Sequence, residues 1–367
     1  MATSTADFNP NALPLPLVTI LICTYNRASL LGETLDSLAA METNPGRTWD
    51  VLVVDNNSTD DTAEVVSCRQ STYPVPLRYL SEAKQGKSYA LNTGLAATHA
   101  EFVLFTDDDV RVDARWLETA IEPMIADHGI DYTGGPVQPI WEQPPPHWLE
   151  ENFSELTGAI AIVDYGQAPF VFEDQGRIPI GANMAIRRSI LDVAGGFDPD
   201  LGRRGTTLLG QEQAEFFCRT RNHGIRGLYV PDMVIHHHVP RRRLSRRYFR
   251  RWWWWKGISR ARLHQLHPQT NDGVNVHNVR RLAGVPLFAV AELCRHSAGC
   301  ASAFVRRDVA SAVENEMMAA YYAGYAWEDS RRRRNSLEPE RAMSSQGDGW
   351  QSRNYSEGRD VRATQEQ

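Results

Sequence analysis

Long apolar runs are what this sequence has least of. Across its 367 residues no stretch reaches the roughly 18 uninterrupted apolar positions that a membrane-spanning helix needs, and no signal peptide precedes Pro10. A soluble or peripheral cytoplasmic protein is the expectation. Cysteine is scarce as well. Cys23, Cys68, Cys218, Cys294 and Cys300 are odd in number, scattered and mostly within apolar stretches, which argues for reduced core thiols and against a disulfide framework or a zinc site. No Walker phosphate loop and no Gly-x-Gly-x-x-Gly follows any apolar run, so neither a nucleoside triphosphatase of that type nor a dinucleotide oxidoreductase is favoured. Acids are missing from one region only: residues 241 to 262 hold nine Arg and one Lys and no carboxylate, inside a chain of net charge −6. That asymmetry implies a local basic surface rather than a basic protein.

What is present is a globular composition, 42% hydrophobic, in a chain long enough for one large domain or two smaller ones. Short β-rich runs alternate with helical patterns. Leu17 to Cys23, Val51 to Val54, Leu77 to Leu80 and Phe102 to Phe105 read as buried strands, each followed by a polar turn and a helix. Such β-α units imply right-handed crossovers and a mostly parallel sheet with helices on both sides, in which all four strand ends meet along one edge. Ligands bind at that edge in open α/β sheets.

The fourth strand runs into Asp107, Asp108 and Asp109. Adjacent carboxylates repel, and a hard divalent cation such as Mg²⁺ or Mn²⁺ is the usual compensation. In extended chain Asp107 and Asp109 share a side and Asp108 points away. A solvated acidic turn capping a helix from Ala114 is the plain alternative. Around the acids the other strand ends place Thr24, Asn26, Arg27, Asp55, Ser58, Lys84 and Lys87, a mixture of hydroxyl, amide, cation and carboxylate suited to a nucleotide diphosphate held partly through a metal.

The runs Val18 to Arg27, Val53 to Thr62, Gly86 to Gly94 and Phe105 to Asp109 together resemble the family 2 glycosyltransferases of the GT-A fold. The resemblance covers about 15 to 265. It implies an α/β three-layer sandwich, an α-helical C-terminal extension, and inverting, metal-dependent transfer of a sugar from a nucleotide-diphosphate donor, with a UDP-sugar expected, to a hydroxyl of a saccharide or lipid-linked acceptor in cell-envelope glycan synthesis. The nucleotide-sugar residues it implies are Thr24, Tyr25, Asn26, Arg27, Asp55, Lys84, Lys87, Asp107 and Asp108. Asp109 and, in the run His236-His237-His238, His237 are the implied metal ligands. Trp141, Asn183, Gly196, Phe197 and Asp198 fall on the acceptor side. In this family the base is usually the Asp of a Glu-Asp pair, but here the pair is Glu212-Gln213, and Gln cannot accept a proton at neutral pH. Glu212 is then the candidate base, weakened by the helix N-terminus it would occupy, with Glu215 and Asp198 as further acids. That departure keeps open a catalytically silent nucleotide-sugar binder or scaffold, and a nucleotidyltransferase on a similar sheet is the competing enzyme.

The chain divides into a loose tail at 1–15, the transferase domain at 16–240, a basic and aromatic helical extension at 241–329, and a polar tail at 330–367 expected to be disordered. Arg246, Arg247, Arg250 and Arg251 recur at helical spacing beside Tyr248, Phe249 and Trp252 to Trp255. This pattern suits an anionic membrane surface or packing onto the transferase domain, and nucleic acid is the weaker reading.

Overall fold

The computed structural model describes residues 16–172, 177–221, 223–268, 275–282 and 284–344, so the expected tail at 1–15 and everything after 344 lie outside the described residues. The first four units are β1 (Val18–Thr24), α1 (Ala28–Ala39), β2 (Trp49–Asp55), α2 (Thr62–Gln70), β3 (Leu77–Ser81), α3 (Lys87–Ala96) and β4 (Phe102–Asp107). There follow β5 (Val110–Val112), α4 (Trp116–Ala126), β6 (Tyr132–Gly134), β7 (Val137–Trp141), α5 (His147–Glu150), α6 (Phe153–Leu156), β8 (Phe170–Val171), β9 (Asn183–Arg187) and α7 (Ile190–Ala194). The rest is α8 (Glu212–Arg221), β10 (Gly227–Tyr229), β11 (Ile235–Val239), α9 (Arg246–Leu266), α10 (Leu287–Val305) and α11 (Val309–Ser344).

One eight-stranded sheet has the order β3-β2-β1-β4-β9-β6-β10-β8. Its first four strands are parallel, while β9 runs antiparallel to both β4 and β6, and β8 antiparallel to β10. The period-2 alternation of the strands sorts the core onto two faces. Val18, Ile20 and Ile22 pack with Leu31, Leu35 and Leu38 of α1 and with α4, whereas Leu21, Leu52 and Val54 pack with Leu91 and Leu95 of α3 and with Phe216 and Phe217 of α8. Each such fully buried side chain contributes about 1.5 to 3 kcal/mol. A second sheet, β5-β11-β7, lies over the end of β4.

Between Gly134 and Val137 the chain passes from one sheet to the other, with β6 ending at Gly134 and β7 opening at Val137. Leu228 to Ile235 divides in the same way between β10 and β11. Helix continues to Ser344, so 330–344, placed in the disordered tail, is helical instead.

The extension is held by α9 and α11, which cross backbone to backbone. A Cβ on Gly257 would sit 1.9 Å from the Tyr321 carbonyl, and one on Gly324 would sit 2.2 Å from that of Trp254. Around the crossing Trp253 packs edge-on against Tyr321, Trp254 packs against Trp327, and Glu316 accepts ion pairs from both Arg246 and Arg250. Packing is therefore what these tryptophans and two of the four paired arginines do. No helix among the described residues is long and apolar enough to cross a membrane.

Candidate active site

The carboxyl ends of β1 and β4 open into a cavity of about 570 Å³. Its floor is Cys23, Thr24, Tyr25 and Arg27 from β1 and the turn after it, Lys87 from α3, and the three aspartates. The opposite wall comes from far along the chain: Gly158, Ala161, Ile180 to Ala182, Arg203, Thr206, Glu212, Gln213, His237, Arg243, Arg251 and Trp252.

The aspartates do not alternate as an extended chain would. The strand ends at Asp107 and the chain turns, so that Asp108 and Asp109 converge on one guanidinium: Arg27 Nη1 donates to Asp108 Oδ1 at 2.7 Å and to Asp109 Oδ2 at 2.6 Å. Thr24 donates its hydroxyl to the second oxygen of Asp108 at 2.8 Å, and Lys87 Nζ donates to Asp107 at 2.7 Å. Two buried acids and a half-buried one, set beside two cations, titrate apart. Burial pushes Asp108 up to about 6 against the pull of Arg27. Asp107 and Asp109, although burial opposes it, stay below the ordinary carboxylate value because Lys87 and His237 respectively stabilise their charge.

Asp109 Oδ1 is left without a hydrogen bond and faces His237 Nε2 at 3.4 Å. His237 is buried because β11 alternates: His236, on the other face, meets Asp113. Among the described residues no three His, Cys, Asp or Glu side chains converge as a closed metal site. The free carboxylate oxygen and the imidazole nitrogen nonetheless suit a divalent cation whose remaining ligands come from phosphate and water, the way Mg²⁺ and Mn²⁺ are commonly bound beside a nucleotide.

Glu212 is buried, 4% exposed, and its Oε2 has no partner. Burial raises its carboxyl above the ordinary value in spite of nearby Lys87, reversing the expectation that a helix N-terminus would make it a weaker base. Gln213 lies beside it, with its amide against Gly181 so closely that a Cβ there would meet Nε2 at 1.8 Å.

Several expected contacts are placed differently. Asp55 accepts from the Ser58 amide at 2.9 Å and the Tyr79 hydroxyl at 2.7 Å and is not part of the cavity lining. Its neighbour Asn56 stands there, bonded to the Lys84 carbonyl and the Gly86 amide. Asn26, at φ 51°, ties the first turn to Thr59, and the Lys84 ammonium lies over the Tyr89 ring. None of the five acceptor-side residues lines the cavity. Asn183 is fully buried, accepting from Trp116 and donating to the Pro136 and Met233 carbonyls. Phe197 packs edge-on against Phe105, Gly196 lies against Asn92, Asp198 caps a turn at Asp200, and Trp141 packs against Phe153.

Arg203 and Arg243 are lining residues that the sequence does not point to, and Arg251, singled out there only for its helical spacing, also lines the cavity. Arg243 is only 8% exposed and, among the described residues, has no carboxylate within ion-pair distance; its guanidinium meets His237 Nε2 at 3.5 Å. Desolvation makes its charge costly, and a buried cation without a counter-ion beside a cavity invites an anion. Arg251 donates to the Thr206 carbonyl at the rim. The one sequence signal is that Arg243 closes an Arg triplet shortly after the histidine strand.

The sequence model of "Glycosyl transferase family 2" matches residues 19–195. The chain is similar to the Glucosyl-dolichyl phosphate glucuronosyltransferase of Haloferax volcanii, 24% identical over 71% of this chain and 81% of that one. It is also similar to Glycosyltransferase AglE of the same organism, 32% identical over 34% of this chain and 40% of that one. A third relative is the Succinoglycan biosynthesis protein ExoM of Rhizobium meliloti, 26% identical over 59% of this chain and 64% of that one. The last two are thus spanned for less than two thirds of their length. Among solved structures, the mannosyltransferase PcManGT of Pyrobaculum calidifontis, in complex with GDP-Man and Mn²⁺, superposes with a TM-score of 0.51 at 21% identity, covering 93% of this chain and 87% of that one. That likeness establishes the GT-A fold.

Proposed function

Because this chain carries a family 2 glycosyltransferase domain on a GT-A fold, we propose that it transfers a sugar, with inversion, from a nucleoside-diphosphate sugar to a hydroxyl of a saccharide or lipid-linked acceptor in envelope glycan synthesis. The observation that carries the reading is the pairing, across one cavity, of the Asp107 to Asp109 cluster with an unpartnered, buried Glu212. A UDP-sugar is the donor we expect, and the named activities of the relatives in glycolipid and polysaccharide synthesis support the acceptor class.

The floor of the cavity holds the donor. Tyr25, Arg27 and Asn56 border the space for the nucleoside, and Lys87 orients Asp107 toward the ribose. Asp109 and His237 would hold a divalent cation, which offsets charge on the diphosphate as it leaves. Arg243 and Arg203 add fixed positive charge from the far wall, where little water competes with them. Glu212 takes the proton of the acceptor hydroxyl as that oxygen attacks the anomeric carbon. A carboxyl raised by burial is better matched to that task at neutral pH than an exposed one, and a positioned base contributes roughly 10² to 10⁴ in rate.

Gln213 favours a second reading, a binder that holds the donor without turning it over. Incubation with a panel of nucleotide sugars, Mn²⁺ and lipid or saccharide acceptors separates the readings by product. Nucleoside diphosphate with new glycoside supports the transferase, pyrophosphate indicates a nucleotidyltransferase, and donor-dependent thermal stabilisation without product indicates the binder. Gln213→Asp is expected to change turnover by less than about tenfold; a rise of orders of magnitude from a barely detectable level would favour the binder.

A further inference from the structure

The turn between α10 and α11 carries the most exposed large apolar side chains of the described residues, Phe304 at 80% and Val305 at 81%, with Val309 at 55% just beyond. Arg306 and Arg307 stand between them, both exposed, and Arg307 adopts a left-handed φ of 59° that turns the chain. The nearest acid, Asp308, is occupied in capping α11 through the Ser311 amide at 3.0 Å. An apolar tip that carries two exposed arginines, of which Arg306 donates to the Ser302 hydroxyl at 2.6 Å, is not a solvated turn, in which such side chains are ordinarily polar. It has the composition of a lipid-surface contact, where the apolar groups enter the acyl boundary and arginines remain among the headgroups.

The tip also sits where such a contact would serve the site. The carbonyl of Ala310 accepts from Asn152 Nδ2 at 3.3 Å, joining the tip to the segment that leads into the cavity-lining residues Gly158 and Ala161. Two turns along α11, Glu316 holds Arg246 and Arg250 at the start of α9, the helix whose Arg251 and Trp252 line the same cavity, and leaves Arg247 exposed and unpaired beside them.

We infer that the α10–α11 turn is a docking surface for an anionic lipid layer, with Phe304 and Val305 inserted and Arg306 and Arg307 on the headgroups, holding the cavity near lipid-borne acceptors. The four paired arginines of α9, singled out by their spacing, are not the main contact, since Glu316 engages two of them in packing against α11. The link to acceptor delivery rests on the transferase reading; the surface itself does not.

The test is sedimentation of the full chain with vesicles of equal parts phosphatidylglycerol and phosphatidylcholine, without donor or acceptor. Phe304→Ser combined with Val305→Ser is expected to weaken binding at least about tenfold. Arg306→Gln and Arg307→Gln should each cost about fivefold, an effect that fades in high salt. Both positions are exposed, so the variants should keep the parent melting temperature, and nucleoside-diphosphate stabilisation reports separately on the transferase site. Undiminished binding by the apolar variant overturns the proposal. So does failure of the parent to bind such vesicles, or concentration-dependent self-association that Phe304→Ser abolishes, which would make the tip a contact between copies of this chain.

Discussion

Asp109 and His237 face each other at 3.4 Å in the wall of the cavity, and the carboxylate oxygen that looks toward the imidazole has no other partner. In Asp109→Asn the hard anionic oxygen is replaced by a neutral amide, a poor ligand for Mg²⁺ or Mn²⁺. The variant should lose the extra thermal stabilisation that Mn²⁺ adds to a nucleoside diphosphate while keeping its own melting temperature. Equal metal-dependent shifts in both proteins would show that the cation, if used, binds elsewhere.

Glu212→Gln should lower turnover at least tenfold with little change in donor affinity, because the group acts on the acceptor proton in the transition state. It should also stabilise the fold. The folded protein holds the Glu212 proton more tightly than an unfolded chain, whose carboxyl titrates near 4.5, so ionising it destabilises the native state as pH rises past that value. The variant's gain in melting temperature is therefore expected at neutral pH and should vanish below 4.5. A gain that is independent of pH would point to packing rather than charge.

Arg243→Gln removes a buried cation that has no carboxylate partner. Nucleoside diphosphate should bind about tenfold more weakly, since a charge-assisted contact is lost, while the melting temperature stays level or rises. Calorimetry with the diphosphate and with the bare nucleoside separates the cases, because only the diphosphate should weaken.

Asn183 acts as a joint between strands rather than as an acceptor contact. Asn183→Leu leaves the Trp116 indole and the Met233 carbonyl without their Asn183 partner and the Pro136 carbonyl with only the Ile235 amide at 3.4 Å, at a cost on the order of 3 kcal/mol. Denaturant unfolding should register that loss, with acceptor preference unchanged in the folded fraction.

The donor half was legible because its strands are short continuous apolar runs and its turns place polar groups directly after them; Thr24, Arg27, Lys87 and Asp109 fall in the cavity as their positions suggested. Asp55 lies outside the cavity lining, and nothing in its sequence neighbourhood reveals that Ser58 and Tyr79 each donate to one of its oxygens. The far wall was harder still. The antiparallel insertion of β9 between β4 and β6 has no local signature, so it was not visible that Asn183 faces inward. Arg243 was lost in a run of arginines whose members look alike in sequence and differ only in burial. Glu212 lines the cavity, but a helix end alone implies a lowered carboxyl, whereas burial under the far wall raises it.

The Arg27 bridge also has a consequence in time. When Asp108 and Asp109 have just been synthesised, Arg27 and Lys87 are already made, but His237 and Arg243 are still far downstream. The nascent donor half can therefore offset part of the charge of its own acids before its second wall exists, and β1 to β4 can assemble as an early parallel unit from contacts that need nothing later. Arg27→Ala should slow refolding from urea, since the acids then repel during that first assembly. Arg243→Gln should leave the refolding rate alone. Stopped-flow traces in which both variants slow equally would place the closing of the cavity, and not the meeting of Arg27 with its two aspartates, at the rate-limiting step.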